Sequence, residues 1–266
     1  MRNNGVELTL NYNVFNNDDW NISVSSNVSY NKNEIIELPP SFEGISFNGG
    51  SQALIEGESL NTYYIVPYLG VNPSNGNPLF QDINGNPTET LLDADRRSSG
   101  KSSIPVWQGG FSTNVTYKGF DLSTQWAWVA DVYRNNLDLA GLEETIPDSG
   151  NNRSVTVLNE WRNVGDITSI PRANSAFSSV DYINSTDRYL EDASYLRMRN
   201  IMLGYSFNQQ ILDKTFLTKA RIFVQAENLV TFTGYRGLDP EGGFRGTDRG
   251  VYPTPRIITF GTTLTF

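Results

Sequence analysis

The residues with the most chemical potential in this chain lie in two short stretches. In FQDINGNPTE, Asp82, Asn84 and Asn86 alternate, the spacing at which side-chain oxygens converge on a hard cation. The match is incomplete. A calcium loop wants glycine after the third ligand and an acid at its end, and here Pro87 follows Asn86. The Asn84-Gly85 dipeptide is read as an ordinary turn, with a structural calcium site as the alternative. In LNTYYIVPYLG, Tyr63, Tyr64 and Tyr68 could stack on apolar sugar faces while their hydroxyls hydrogen-bond, or could simply pack a loop. Asp93 and Asp95 are expected to pair with Arg96 and Arg97. Arg197 and Arg199 are expected to line a rim or to pair with Glu191 and Asp192.

Catalysis is poorly supplied. The 266 residues contain no cysteine and no histidine, which removes disulfides, thiolate nucleophiles, histidine metal sites and every triad with a histidine base. Only carboxylates and Ser/Lys pairs remain, so no enzymatic activity and no other cofactor is expected. A formal charge of −9 without a basic cluster argues against nucleic acid as a partner. No apolar run reaches the ~18 residues of a membrane-spanning helix. The hydrophobic fraction of 38%, with 23 glycines and many asparagines, is low for a packed globular core.

The elements that must carry these residues alternate. Val6, Leu8, Leu10, Tyr12 and Val14 oppose Glu7, Thr9, Asn11 and Asn13; Trp20, Ile22, Val24, Val28 and Tyr30 oppose Asn21, Ser23, Ser25, Asn27 and Asn31. Further runs begin at Trp107 and Asp121, a weaker one at Arg221, and a last one ends TFGTTLTF with Ile258, Phe260, Thr262, Leu264 and Phe266 on one face. Period-2 alternation of this kind is a strand with one apolar and one small polar face. The phase changes near Asn200 in YLRMRNIMLGYSF, which reads as a β-bulge. QQILDKTF offers about one helical turn.

Strand length separates a soluble sandwich from a membrane wall. Globular strands average ~5 to 6 residues and tilted membrane strands need ~9 to 11; these runs are 10 to 15 long. Aromatics stand near their ends, where interfacial girdles belong. The connections at 16 to 19, at Lys118-Gly119 and at 208 to 219 are short, whereas 37 to 104, 137 to 194 and 234 to 254 are long. Outer-membrane barrels keep short turns in the periplasm and long loops outside. Parity then puts residues 60 to 70 in an extracellular loop rather than in the wall, leaving about seven wall strands. Because barrels begin at ~8 strands, the expected fold is all-β, an antiparallel transmembrane β-barrel portion that is completed by further strands.

The stretches MRNNGVELTLNYNV, SYNKNEI, YKGFDLSTQWAW, DRYLEDASYLRMRNIMLGYSF, RIFVQAENLVTFTGYRGLDPE and GVYPTPRIITFGTTLTF together resemble the C-terminal part of the SusC/RagA family of TonB-dependent outer-membrane transporters. The resemblance runs in order over nearly the whole chain. It implies a Gram-negative outer membrane as location and a barrel of about 22 strands. It also implies an N-terminal plug that engages the TonB complex and is not part of residues 1 to 266. The implied activity is energised import of oligosaccharides or oligopeptides with a SusD-like surface lipoprotein. Thr259, Gly261, Leu264 and Phe266 resemble the terminal β-signal read by the barrel assembly machinery. On the resemblance, Gln225 and Glu227 on the lumen side would face the plug. An outer-membrane barrel enzyme or an adhesin using the same loops is the alternative.

Overall fold

A computed structural model of the chain describes residues 1–42, 45–47, 50–144, 152–173, 177–243, 245–248, 250 and 252–266. In chain order the elements are β1 (Arg2–Asn16), β2 (Trp20–Glu34), β3 (Ser46–Phe47), β4 (Gln52–Ala53), β5 (Thr62–Ile65), β6 (Tyr68–Val71), β7 (Pro78–Gln81), β8 (Pro87–Thr88), β9 (Arg97–Ser102), β10 (Trp107–Tyr117) and β11 (Phe120–Ala130). There follow β12 (Tyr133–Asn136), α1 (Leu137–Leu142), α2 (Ser179–Ser185), β13 (Leu190–Asp192), β14 (Tyr195–Ser206), α3 (Gln209–Leu212), β15 (Lys219–Glu227), β16 (Thr231–Thr233), β17 (Thr247–Asp248) and β18 (Ile257–Thr265).

Seven of these strands form one antiparallel wall in the order β1-β2-β10-β11-β14-β15-β18, with β16 added beside β14. Its hairpins close tightly where the sequence supplies turn residues. Lys118 and Gly119 both take positive φ, 47° and 91°, the two-residue turn whose twist matches that of the flanking strands. Register then carries one face across the whole sheet. Val115 opposes both Ile22 and Leu122, Leu122 opposes Leu203, Leu203 opposes Val224, and Val224 opposes Phe260. Since directly opposed residues share a face, every apolar series read from the sequence lies on the same side.

That side is bare. Within the central strands Leu203 is 47% exposed and Phe111 36%. A sheet that leaves so much apolar surface uncovered is built for a solvent as apolar as itself. Aromatic pairs edge it at both ends: Trp20 stacks on Tyr117 with centroids 4.1 Å apart and Phe120 meets Tyr205 at 4.6 Å on the turn side, while Tyr30 meets Trp107 at 4.7 Å on the loop side. The ten steps from Trp20 to Tyr30, at ~3.4 Å each and a tilt of ~40°, make a band about 25 Å tall, the height of a barrel's apolar belt.

The bulge foreseen near Asn200 is present. Gln125 opposes Asn200 and Trp126 opposes Met198, so Arg199 is the extra residue. A second bulge, not visible in the alternation, falls in β1, where Asn13 opposes Ser23 and Phe15 opposes Ile22. Val14 is therefore the inserted residue, and Phe15 takes the apolar face. β1 also extends beyond the run seen in sequence.

The long connections gather at the opposite end from the turns and fold into a crown, whose described residues hold the chain's packed core. Residues 60 to 70 lie in it, outside the wall. β3, β4, β5 and β9 form one small sheet, β6 to β8 a second, and β12, β13 and β17 a third. Val66, Phe80, Ala140, Tyr182, Ile183 and Tyr189 form the largest buried cluster among the described residues.

Candidate functional site

The face opposite the apolar belt is a polar surface laid out in rows. One row runs Asn11, Ser25, Ser112, Gln125, Asn200 and Glu227 across six strands. Ser25 Oγ donates to Asn11 Oδ1 at 2.6 Å, and Gln225 Nε2 donates to Glu227 Oε1 at 3.0 Å. Apart from Glu227 these are neutral polar groups, which hold water without fixing a ligand, as a lumen wall requires.

Two arginines stand at the crown end of the same face. The bulge at Arg199 re-aims the strand so that Arg197 and Arg199 reach one loop segment. Arg197 is 3% exposed. Its Nε donates to Thr231 Oγ1 at 2.9 Å, its Nη1 to Glu241 Oε2 at 2.8 Å and to Thr254 Oγ1 at 3.1 Å, and its Nη2 to Asp239 Oδ1. Arg199 Nη2 donates to the other oxygen of Glu241. Asp239 also accepts from the backbone N–H groups of Glu241 at 2.9 Å and Thr254 at 3.0 Å. Burial alone would raise its pKa, but the hydrogen bonds from Arg197 and from the Thr254 and Glu241 N–H groups outweigh burial and hold it at about 2. This network bolts the loop at Asp239, Glu241 and Thr254 to the lumen face. The expected partners of the two arginines are elsewhere: Glu191 pairs with Arg236 at 2.8 Å, and Asp192 accepts from Ser194. Asp239 and Glu241 lie forty or more residues downstream of the arginines, so no local spacing announces them.

A second buried carboxylate holds the far side of the same loop. Tyr235 donates its hydroxyl proton to Asp248 Oδ2 at 2.7 Å, and Arg134, 3.9 Å from Oδ1, donates to the Pro240 and Gly243 carbonyls. Burial pushes the Asp248 carboxyl above its ordinary range. Between the loop and the inner side of β14 and β16 lies a cavity of about 720 Å³.

The tyrosines are separated by their surroundings. Tyr63 is fully buried; its hydroxyl lies 2.6 Å from the Gly246 carbonyl and 3.1 Å from that of Tyr133, and its ring offers no face to a ligand. Tyr68 is half-buried, packs edge-on to Tyr182 at 5.8 Å, and donates to the Ser169 carbonyl at 3.0 Å. Tyr64 is half-buried in β5, where its carbonyl accepts from Arg96 at 3.3 Å.

Asp82, Asn84 and Asn86 share one turn. Asp82 Oδ1 accepts from the N–H groups of Asn84 at 2.9 Å and Asn86 at 2.7 Å, and Gly85 takes φ 90°. The hydrogen bond from the Asn86 N–H is the largest of the effects that lower the Asp82 pKa. Of the nearby charges, Asp93 pairs with Arg96 at 2.9 Å as expected. Asp95 instead is buried and accepts from the Ile83 N–H at 2.9 Å, while Arg97 binds the Asp82 carbonyl and Gln81.

In β18, Thr259 faces the lumen opposite Gln225, and Leu264 faces outward. Gly261 lies under the Phe223 ring, where a Cβ would come within 2.2 Å of Cζ. Phe266 stacks on Phe216, centroids 5.7 Å apart and planes 5° from parallel.

No protein-family model matches the chain. It is 30% identical to TonB-dependent receptor P3 of Formosa agariphila over 299 aligned residues, covering all of this chain and 29% of that protein. To TonB-dependent receptor SusC of Bacteroides thetaiotaomicron it is 27% identical, covering all of this chain and 26% of that protein. Among solved structures, the RagAB peptide transporter superimposes with a TM-score of 0.88 at 28% identity, over 99% of this chain and 29% of that one. The RagAB peptide importer in its open-open state gives 0.84 at 26% identity. The chain thus spans less than a third of the relatives it matches.

Proposed function

Taking this chain as a segment of the wall and crown of a SusC/RagA-family TonB-dependent receptor in the outer membrane of a Gram-negative bacterium, we propose that it serves energised import of oligopeptides or oligosaccharides. It supplies strands that shape the lumen and loops that meet the substrate at the outer mouth. Energy comes from the TonB complex through a plug outside these residues, and a SusD-like lipoprotein covers the crown. The β-signal residues Thr259, Gly261, Leu264 and Phe266 are proposed to be read by the barrel assembly machinery. Tyr64 and Tyr68 remain the substrate-contacting tyrosines of this reading, and a structural calcium at Asp82 its optional ion.

The single observation behind the proposal is two-sided. One sheet face is apolar across seven strands and girdled by aromatics, the other is a polar surface whose charges are few and mostly paired, and all long connections stand at one end. Cysteine labelling of the complete receptor in intact cells tests the orientation. Asn84→Cys should react with an impermeant maleimide and Lys118→Cys should not. Labelling of Lys118→Cys from outside, or uptake that persists after the TonB complex is removed, would overturn the proposal.

A further inference from the structure

The cavity under the bolted loop is lined by Arg197, Thr231, Thr233, Tyr252, Pro253 and Arg256, among others. Its volume of about 720 Å³ falls in the range of small-ligand sites, ~300 to 1,000 Å³. Its walls are fixed before any ligand arrives. Thr254 is held by both its N–H and its hydroxyl on Asp239 Oδ2, at 3.0 and 2.9 Å, and Asn228 donates to the Pro255 carbonyl at 3.2 Å. Prolines at 253 and 255 restrict the backbone between these anchors.

The charges in this lining do not cancel. Arg197 is neutralised by Asp239 and shares Glu241 with Arg199. Arg256 is exposed and, among the described residues, forms no ion pair, which leaves the cavity with a net positive charge in a chain whose formal charge is −9. Tyr252, 91% exposed beside it, presents an uncovered aromatic ring. The Thr231 hydroxyl accepts from Arg197 and keeps its own proton for a further acceptor.

We propose that this cavity is a subsite for the carboxylate of the imported ligand, held by the Arg256 guanidinium with Thr231 as a second donor and Tyr252 against the adjoining apolar portion. A planar guanidinium takes a carboxylate through two parallel hydrogen bonds, which a lysine or a neutral amide does not reproduce. Arg197 is a positioning residue in this scheme, since four of its five N–H donors are committed to Thr231, Thr254, Asp239 and Glu241. The proposal rests on the import reading for its direction of approach and supplies the chemical class that reading leaves open. A peptide C-terminus and a uronic acid present the same group.

The test is equilibrium binding to the complete receptor purified in detergent, using two matched pairs of probes: a tripeptide and its C-terminal amide, and trigalacturonate and its methyl ester. At least one free acid is expected to bind about tenfold tighter than its neutral partner, with the preference reduced to within about twofold in Arg256→Gln. Preference confined to the peptide pair assigns the site to peptide termini, and preference confined to the uronate pair assigns it to acidic glycans. Equal binding of acid and neutral forms by the wild-type receptor, or a preference that survives Arg256→Gln, overturns the proposal. If Arg256→Gln does not assemble, Arg256→Lys and the wild-type comparison decide the matter. Because the assay needs no TonB, acid-selective binding together with TonB-independent uptake would sink the import reading and leave the subsite standing.

Discussion

Asp121 and Arg221 are joined across a strand that carries neither of them. Asp121 belongs to β11 and Arg221 to β15, and Arg221 Nε donates to Asp121 Oδ1 at 3.1 Å over the backbone of β14. The residue beneath is Gly204, where a Cβ would come within 2.4 Å of the guanidinium and 2.6 Å of the carboxylate. Here glycine is needed for clearance, not for an unusual backbone angle.

Gly204→Val is accordingly expected to break the pair and destabilise the assembled receptor. Both partners are partly exposed, so solvent screening limits the loss of the pair to about 1 kcal/mol. Denaturant midpoints should show Asp121→Asn costing less in the Gly204→Val background than alone. Additive losses would mean that the pair survives above a larger residue.

The two faces predict opposite tolerance to charge. Leu122→Arg, set between Val115 and Leu203 on the apolar side, is expected to cost about 2 to 4 kcal/mol in folding titrations in lipid. Ser123→Arg, one residue on and facing the lumen, should cost much less. Equal losses would reverse inside and outside.

Removing Arg197 leaves the Asp239 carboxylate buried without its partner. Arg197→Leu should therefore open the 238–256 segment locally, at a cost of about 3 to 5 kcal/mol, and hydrogen exchange should rise there without a matching rise in β1 or β2. Arg197→Leu with Asp239→Leu should restore much of the protection, because neither member of the pair is left as an uncompensated buried charge.

Acidity provides a separate measure of the same bolt. Asp239 is held at about 2 in the folded loop against an ordinary 3.8, so its contribution, on the order of 2 kcal/mol, is present above the unfolded value and is lost as pH falls from 4 towards 2. Asp248 is shifted the other way, so its contribution is present at low pH and is lost as pH rises through its raised value. Exchange protection of the segment should fall between pH 4 and 2 in the wild type and stay flat over that window in Asp239→Asn.

What the sequence made legible was whatever period 2 and turn chemistry encode. The alternating runs marked the wall and both of its faces, Lys118-Gly119 marked a hairpin, and the slip near Asn200 marked a bulge. The bulge at Val14 was hidden because Val14 and Phe15 are both apolar, so an inserted residue left the pattern intact. The crown was less legible for a different reason. Tyr63 and Tyr68 carry the same ring, yet one is sealed beneath Gly246 and the other is half-buried, a difference decided by segments far away in the chain. Arg197 finds Asp239 rather than Glu191 because the bulge turns it towards a loop that local spacing does not connect to it.

The two-residue turn between β10 and β11 has a kinetic counterpart. Its strands meet after two intervening residues, those of β1 and β2 after three, and those of β14 and β15 after twelve, whereas β2 and β10 pair across seventy-two. Closing the longest of these loops costs about 3 kcal/mol more chain entropy than closing the shortest, and hairpins form in ~1 to 10 μs. The hairpins β1-β2, β10-β11 and β14-β15 are therefore expected to form first. The slow events are the seams β2 with β10, β11 with β14 and β15 with β18, and each seam can close only as a crown segment is drawn up over the rim.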